Sequence, residues 1–345
     1  MILAGDIGGT KTHLGLFEVE GLAAIAPSAP PKLTRFESLP SADYGDLPQL
    51  VRAAFPDLRA NEIAAAAFGV PAPVLAGRAT TPNLAWLTLD EAEIAQALGI
   101  DRVVLANDLA AAGAAIDLLA ADRFEVLQAG DPQAAGTRLL VSAGTGLGVA
   151  ILARSEAGET VVIPSEGGHS DFAPRNAEEW ALLEFLAQRH AAASGGHVGL
   201  ERVVSGRGIA DLYAFRVARG DEPAATVTAA EANGDDLAAA VAAAAANSAT
   251  AARAIDRFLE AYGAASGNLA LISGATGGVF LGGGVAPRLR DRLARGGFLR
   301  AFRDKGRFAG YLERIPVRLI LDDRAGLLGA AVLAARSLAR ATSRG

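Results

Sequence analysis

The sequence predicts a two-domain α/β protein, and three observations carry that prediction. Its 345 residues exceed what a single hydrophobic core comfortably holds. Short apolar, strand-like runs alternate with helical ones along much of the chain. A unit of strand, glycine-rich turn and strand occurs twice, once at the start of each half.

The elements follow in order. Residues 2–5 and 14–19 are short apolar runs on either side of a Gly/Thr turn, which reads as strand, turn, strand. Residues 46–55 and 90–98 read as helices. Ile63–Val70 and Val103–Leu105 read as buried strands, each closed by a polar or proline break. The pattern then restarts with Leu139–Ser142, the turn Ala143–Gly148 and the strand Val149–Leu152. A helix is expected over 176–192, with Asn176 as its N-cap and Glu178 and Glu179 in its first turn. The alanine-rich stretch 228–262 is expected to be helical on propensity alone. Val279–Leu281 reads as a strand running into Gly282-Gly283-Gly284, and Pro287 suits the first position of a following helix. Leu327–Arg340 has the apolar spacing of a closing helix. No low-complexity linker is found, and the loop 117–137 is only the weakest of boundary candidates.

Composition narrows the function classes. Hydrophobic residues make up 51 % and charged ones 20 %, a globular balance. The net charge of −6, without a long Lys/Arg run, argues against nucleic acid as a partner. A nucleotide remains compatible, because backbone N–H groups and a metal can meet its phosphates. Cysteine is absent, which excludes disulfides, thiolate zinc sites and cysteine catalysis and fits a reducing, cytoplasmic setting. The opening Met1–Asp6 shows no secretory signal. The uncharged stretches, between Arg138 and Arg154 and over Leu237–Ala246, fall short of the ~20 apolar residues of a spanning helix, so no membrane segment is expected.

Forty residues are glycine, and their clusters suggest chemistry. Gly5-Asp6-Ile7-Gly8-Gly9-Thr10-Lys11-Thr12 is similar to a phosphate-binding P-loop but has Thr10 where glycine is required, and it leads into a strand instead of a helix. The alternative is a hairpin tip whose glycines bring main-chain amides to phosphate oxygens. Asp6 beside it can hold a water of a Mg²⁺ ion. A plain glycine β-turn explains the segment equally well in isolation. The second tip, Gly144-Thr145-Gly146-Leu147-Gly148, tilts the balance toward phosphate binding. Gly282-Gly283-Gly284 adds a third turn, uncharged and better suited to an adenosine.

Asn107 and Asp108 end the strand begun at Val103 and precede an apolar helix start. Asp108 there either accepts the proton of an attacking hydroxyl or merely caps the helix, and Asn107 can orient a sugar. Glu166 and His169 flank two glycines in a tight turn, suited to adjacent sugar hydroxyls or to a structural role; a metal site has too few ligands there. Glu201 can reach a sugar, or pair with Arg202.

The chain resembles bacterial glucokinases of the non-repressor type. The matching stretches are Gly5–Thr10, Leu105–Ala111, Val141–Ala150, Glu166–Pro174, Gly196–Gly206, Gly267–Ala270, Gly277–Arg288, Phe302–Phe308 and Gly326–Gly329. The glycine hairpins with the third turn are similar to those of the actin/Hsp70/hexokinase ATPase superfamily. That resemblance implies a two-domain actin-like (ribonuclease H-like) fold with its active site in an interdomain cleft. The expected small domain is 1–115, completed by about 323–345, and the large one 116–322. The resemblance further implies ATP- and Mg²⁺-dependent phosphorylation of glucose at the 6-hydroxyl, with Asp108 as general base. Asn107, Glu166, His169 and Glu201 would hold the sugar. ATP would be met by Asp6, Gly8, Gly9, Thr10, Lys11, Gly144, Thr145, Gly146, Gly282 and Gly283, with Asp6 serving Mg²⁺ through water. A homodimer is implied as well. Two features differ from the family pattern: Lys11, where some members carry a neutral residue, and the alanine-rich 221–250. Rival readings are a kinase of another hexose or N-acetylhexosamine, and a non-sugar actin-like ATPase.

Overall fold

A computed structural model describes residues 1–19, 30–81, 84, 86–133, 135–155, 158 and 160–342. Its internal contacts divide the chain into two units. One comprises Met1–Arg123, Ser155–Pro164 and Asp322–Gly345, and the other Phe124–Arg154 and Ser165–Leu321.

In the first unit β1 (Ile2–Ile7) and β2 (Lys11–Glu18) form an antiparallel hairpin, and β3 (Lys32–Pro40) adds to β2. β4 (Ala65–Val70) pairs parallel with β1. A small antiparallel sheet of β5 (Val74–Leu75), β6 (Arg78–Thr80) and β7 (Thr88–Asp90) follows. β8 (Val103–Asn107) then pairs parallel with β4, completing the order β3-β2-β1-β4-β8. Strand side chains alternate between faces, and both faces are buried. Leu3, Ile7, Leu14, Leu16, Phe68 and Val70 pack with Leu47, Leu50 and Val51 of helix Leu47–Ala54 and Ile94 of helix Glu91–Leu98. Ile2, Ala4, Ala65 and Ala67 pack with Ala111 of helix Asp108–Ala115 and Leu327, Ala330 and Ala334 of helix Ala325–Thr342. Those two helices approach very closely: a Cβ on Gly329 would lie 1.7 Å from the Ala111 carbonyl oxygen.

The second unit repeats that arrangement. After β9 (Phe124–Gln128), β10 (Arg138–Ala143) and β11 (Leu147–Arg154) form an antiparallel hairpin; β12 (Thr160–Ser165) follows in the chain. β13 (Gly278–Gly282) pairs parallel with β10, and β14 (Val317–Ile320) pairs parallel with β13. β14 takes β9 as an antiparallel neighbour. The order β2-β1-β4-β8 of one sheet thus reappears as β11-β10-β13-β14 in the other. Its core gathers Val141 and Leu281 with Phe258 and Tyr262 of helix Ala249–Ser273 and Phe298 and Phe302 of helix Gly297–Arg303. Tyr262 Oη donates to the Val141 carbonyl at 2.8 Å.

Several expectations are corrected. The alanine-rich 228–262 is not one helix but parts of three: Ala225–Asn233, Leu237–Ala244 and Ala249–Ser273. Gly234, at φ 73°, stops the first, and the side chains of Asp236 and Ser248 cap the next two, signals that uniform alanine propensity hides. The helix expected over 176–192 ends at Arg189, with its N-cap at Asn176. The stretch 117–137 holds a division between the two units, after Arg123, but it is not a plain loop, since it contains β9. Among the described residues no helix is long and apolar enough to cross a membrane.

Candidate active site

The first unit gathers its polar candidates at one edge of its sheet. In the parallel trio β1, β4 and β8, Asp6 pairs with Gly69 and Gly69 with Ala106. Asp6, Asn107 and Asp108 therefore all lie at the carboxyl ends of neighbouring strands, where α/β sheets place ligands. Gly69 permits the convergence, since a Cβ there would lie 3.2 Å from Ala111 Cβ and 3.5 Å from Asp108 Cα.

Asp6 points to the face covered by helix Ala325–Thr342. A Cβ on Gly326 would lie 2.6 Å from Asp6 Oδ2, so glycine there makes room for the carboxylate. Burial pushes the Asp6 carboxyl up to about 6. Beyond β1 the chain turns over Gly8–Thr10 into β2. Gly8 N–H donates to the Lys11 carbonyl at 3.0 Å. Ser41 fixes this tip from outside: its Oγ donates to the Gly8 carbonyl at 2.7 Å, its N–H to the Thr10 carbonyl at 3.1 Å. Gly9 and Thr10 are exposed and their N–H groups bond no other described residue. His13, paired across the hairpin with Asp6, stacks on Phe36 with ring centroids 5.6 Å apart. Burial holds its imidazole below the usual range, aided by Lys11 and opposed by Asp323.

The helix cap falls on Asn107, not Asp108. Asn107 Oδ1 accepts from the N–H of Leu109 at 3.0 Å and of Ala110 at 3.4 Å. Asp108 occupies the first helical position, its Oδ1 accepting from Leu109 N–H at 2.8 Å. Asp108 thus shares the Leu109 N–H with the Asn107 cap, and its charge is favoured at a helix N-terminus.

In the second unit three segments meet the β10–β11 tip. Gly144 N–H is spent on the Gly146 carbonyl at 2.9 Å, while the N–H groups of Thr145 and Gly146 bond no described residue. Leu147 N–H donates to Glu201 Oε2 at 3.1 Å. Gly168, in the turn Gly167–His169, lies against the same residue, since a Cβ there would sit 1.9 Å from the Leu147 carbonyl oxygen. Glu166 and His169 flank that turn, both exposed, with carboxylate and imidazole 3.8 Å apart. Gly206 N–H, at the start of helix Gly206–Ala218, donates to the Gly144 carbonyl at 2.8 Å. The third glycine turn closes on the same strand end: Gly283, at φ 82°, would bring a Cβ within 2.3 Å of the Ala143 carbonyl oxygen, which also accepts from Val285 N–H at 3.1 Å. Only glycine fits there. Arg202 does not pair with Glu201, whose carboxylate is on the tip instead. His197 Nε2 lies 2.8 Å from Asp171 Oδ1.

Thus Asp6, Gly8–Lys11, Asn107 and Asp108 share one sheet edge in the first unit. Gly144–Gly146, Glu166, His169, Glu201, Gly282 and Gly283 share one end of the sheet in the second. Sequence reasoning missed Ser41, Gly69, Leu147, Gly168 and Gly326. Gly168 and Gly326 lay inside stretches already singled out, whereas Ser41 is joined to its tip only by tertiary bonds and carried no local signal.

The glucokinase family model matches residues 3–337. A glucokinase of Nostoc punctiforme is 38 % identical over 352 aligned positions, covering 97 % of this chain and 99 % of the relative. The chain belongs to the glucokinase family. Further support comes from a glucokinase of Ralstonia nicotianae, 35 % identical over 95 % of this chain and 93 % of the relative. The crystal structure of a glucokinase from an Antarctic psychrotroph superposes with a TM-score of 0.78 at 30 % identity, covering 96 % of this chain and 98 % of that one. A repressor/open-reading-frame/kinase-type glucokinase from Streptomyces griseus, solved with glucose and AMPPNP, has a TM-score of 0.63 at 22 % identity over 96 % of this chain and 98 % of that one. It shares the fold, which is the actin-like ATPase fold of this family. This chain is accordingly an enzyme, a glucokinase by family.

Proposed function

We propose that the protein phosphorylates glucose at its 6-hydroxyl with ATP as donor, Asp108 acting as general base. Membership of the glucokinase family over nearly the whole chain carries this reading. The local chemistry agrees with it residue by residue. Asp108 offers a carboxylate at the carboxyl edge of a parallel sheet, beside the Asn107 cap. In this reading it takes the proton of the 6-hydroxyl as that oxygen attacks the γ-phosphorus. Asn107 Nδ2, Glu166, His169 and Glu201 bind the remaining hydroxyls. The N–H groups of Gly9, Thr10, Thr145 and Gly146 remain for phosphate oxygens, and the uncharged turn at Gly282 and Gly283 suits the nucleoside.

Asp6 fits a Mg²⁺ ion. Its half-buried carboxylate has no donor or cation bonded to it among the described residues, and one carboxylate with retained waters suits that ion. When bound, Mg²⁺ supplies positive charge to the transferring phosphate; Asp6 would hold it through water. Since positioning and charge stabilisation supply most of the catalysis in phosphoryl transfer, we place the weight on these backbone donors as much as on Asp108. A cytoplasmic setting, in keeping with the absence of cysteine, and a homodimer, as the sequence resemblance implies, belong to the same reading.

The deciding experiment crosses glucose, mannose, fructose and N-acetylglucosamine with ATP, ADP and polyphosphate in a coupled assay of purified protein. Glucose with ATP should give the highest kcat/KM. A clear preference for another hexose or donor replaces that part of the proposal, and hexose-independent ATP hydrolysis alone defeats it.

A further inference from the structure

The polar residue Glu201 touches the phosphate tip directly, and this bears on how the two substrates communicate. Its Oε2 accepts the Leu147 N–H at 3.1 Å. The contact is built for: a Cβ on Gly146 would lie 2.4 Å from that same oxygen, so the glycine clears its place. Glu201 is anchored in turn, its carbonyl accepting from Ser205 Oγ at 2.7 Å, and Ser205 caps the helix whose first N–H holds Gly144. Gly168, beside His169, closes on the opposite side of Leu147. Both sugar-side segments of this unit therefore grip one residue of the tip.

We infer that Glu201 is a positioning residue coupling sugar occupancy to nucleotide affinity through the Leu147 amide. The inference rests on the proposed function, in which Glu201 binds a sugar hydroxyl and the tip binds phosphate. Glu201 has two carboxylate oxygens. Oε2 is committed to the tip, and a hydroxyl donating to the carboxylate fixes its orientation. That orders Leu147 and leaves the Thr145 and Gly146 amides aimed outward before any phosphate arrives. It also draws charge from a carboxylate that otherwise repels the phosphates. Both effects have the same sign, so the sugar should tighten the nucleotide and, by reciprocity, the nucleotide should tighten the sugar.

The test is calorimetric titration of AMPPNP with Mg²⁺, with and without saturating glucose, on the full chain and three variants. In the unaltered protein glucose should tighten AMPPNP by about tenfold, within the usual range of such couplings. Glu201→Ala removes the acceptor, and Gly146→Ala pushes the carboxylate off Leu147 without removing any sugar-facing side chain. In both the ratio should fall below about twofold. Glu201→Gln, whose amide oxygen accepts the same N–H, should restore a ratio of at least about threefold. A merely structural role for Glu201 lowers both affinities without moving their ratio. Should Gly146→Ala lose its native circular dichroism, the Glu201→Ala and Glu201→Gln pair decides alone. Equal ratios in all four proteins, or a ratio of one in the unaltered chain, overturns the coupling while glucose phosphorylation stands. An unaltered chain that neither binds glucose nor transfers phosphate to it takes down the proposed function, and the coupling with it.

Discussion

Asp108 and Asp6 are both carboxylates at the carboxyl edge of one sheet, yet their surroundings differ. Asp108 sits in the first helical turn beside a side chain that already caps the helix. Replacing it with alanine should lower kcat by 10²–10⁴-fold, the usual worth of a general base, while calorimetry still detects glucose binding. Turnover near the parental value would strip it of that role. Asp6 has been pushed from the ordinary 3.8 to about 6 by burial. A carboxyl raised in this way is ionised more easily in the unfolded chain, so above that pH its charge works against the fold by about 3 kcal/mol. Asp6→Asn should therefore raise the melting temperature in metal-free buffer at neutral pH and depress phosphoryl transfer. A variant melting lower than the parent would contradict the burial argument. What the sequence disclosed at this scale was local. The glycine tips and the strand-end Asn107-Asp108 pair stand out because a few adjacent residues create them. Ser41 and Gly69 could not be seen, because their partners lie 33 residues from Ser41 and across a strand register from Gly69.

Helices in this protein are set close by glycine and tied by arginine. Gly329 lets helix Ala325–Thr342 lie on the Ala111 carbonyl. Gly329→Ala should cost about 1–3 kcal/mol, the range for overpacking a tight contact, read from urea midpoints; no loss would mean the helices separate freely. Glu179, fully buried at the start of helix Ala177–Arg189, lies between Arg175 and Arg257. Burial alone would raise its carboxyl, but hydrogen bonds from Arg175 and the charges of both arginines hold it below the usual 4.5. The sign follows: this pairing stabilises the fold fully above pH 4.5 and is lost as pH falls through the depressed value. Glu179→Gln should cost about 3 kcal/mol at neutral pH and flatten the acid limb of the stability curve, measured by denaturant titration at several pH values. An unchanged acid limb would locate the acid sensitivity elsewhere. Hairpins and capped helices were legible here, because each carries its own period and punctuation. β3 was not, since its mostly exposed Lys32–Pro40 run has no clear apolar alternation, and β9 hides in a stretch without turn-bounded periodicity.

At the scale of the molecule, the sheet order β2-β1-β4-β8 and its counterpart β11-β10-β13-β14 show the fold's internal repeat. The repeat was readable as two glycine-tipped hairpins, because each hairpin is contiguous in the chain. The parallel strands that complete each sheet are not, and their order had to come from the structure. A ligand that binds only the folded protein adds to its stability by mass action. Glucose at a hundredfold excess over its dissociation constant should therefore add about 2.7 kcal/mol, visible as a raised thermal midpoint. Galactose, which differs from glucose in the orientation of its 4-hydroxyl, should add much less; equal protection by both would speak against a sugar-specific site.

The first unit is assembled from both ends of the chain. Ile2 and Ala4 find their cover in Leu327, Ala330 and Ala334, far along the chain. During synthesis the opening strand must therefore wait, one apolar flank bare, until the closing helix leaves the ribosome. Nascent chains are exposed for that whole interval, and a polypeptide stopped short of Ala325 would leave that flank permanently uncovered, a substrate for chaperones and proteases and not an enzyme.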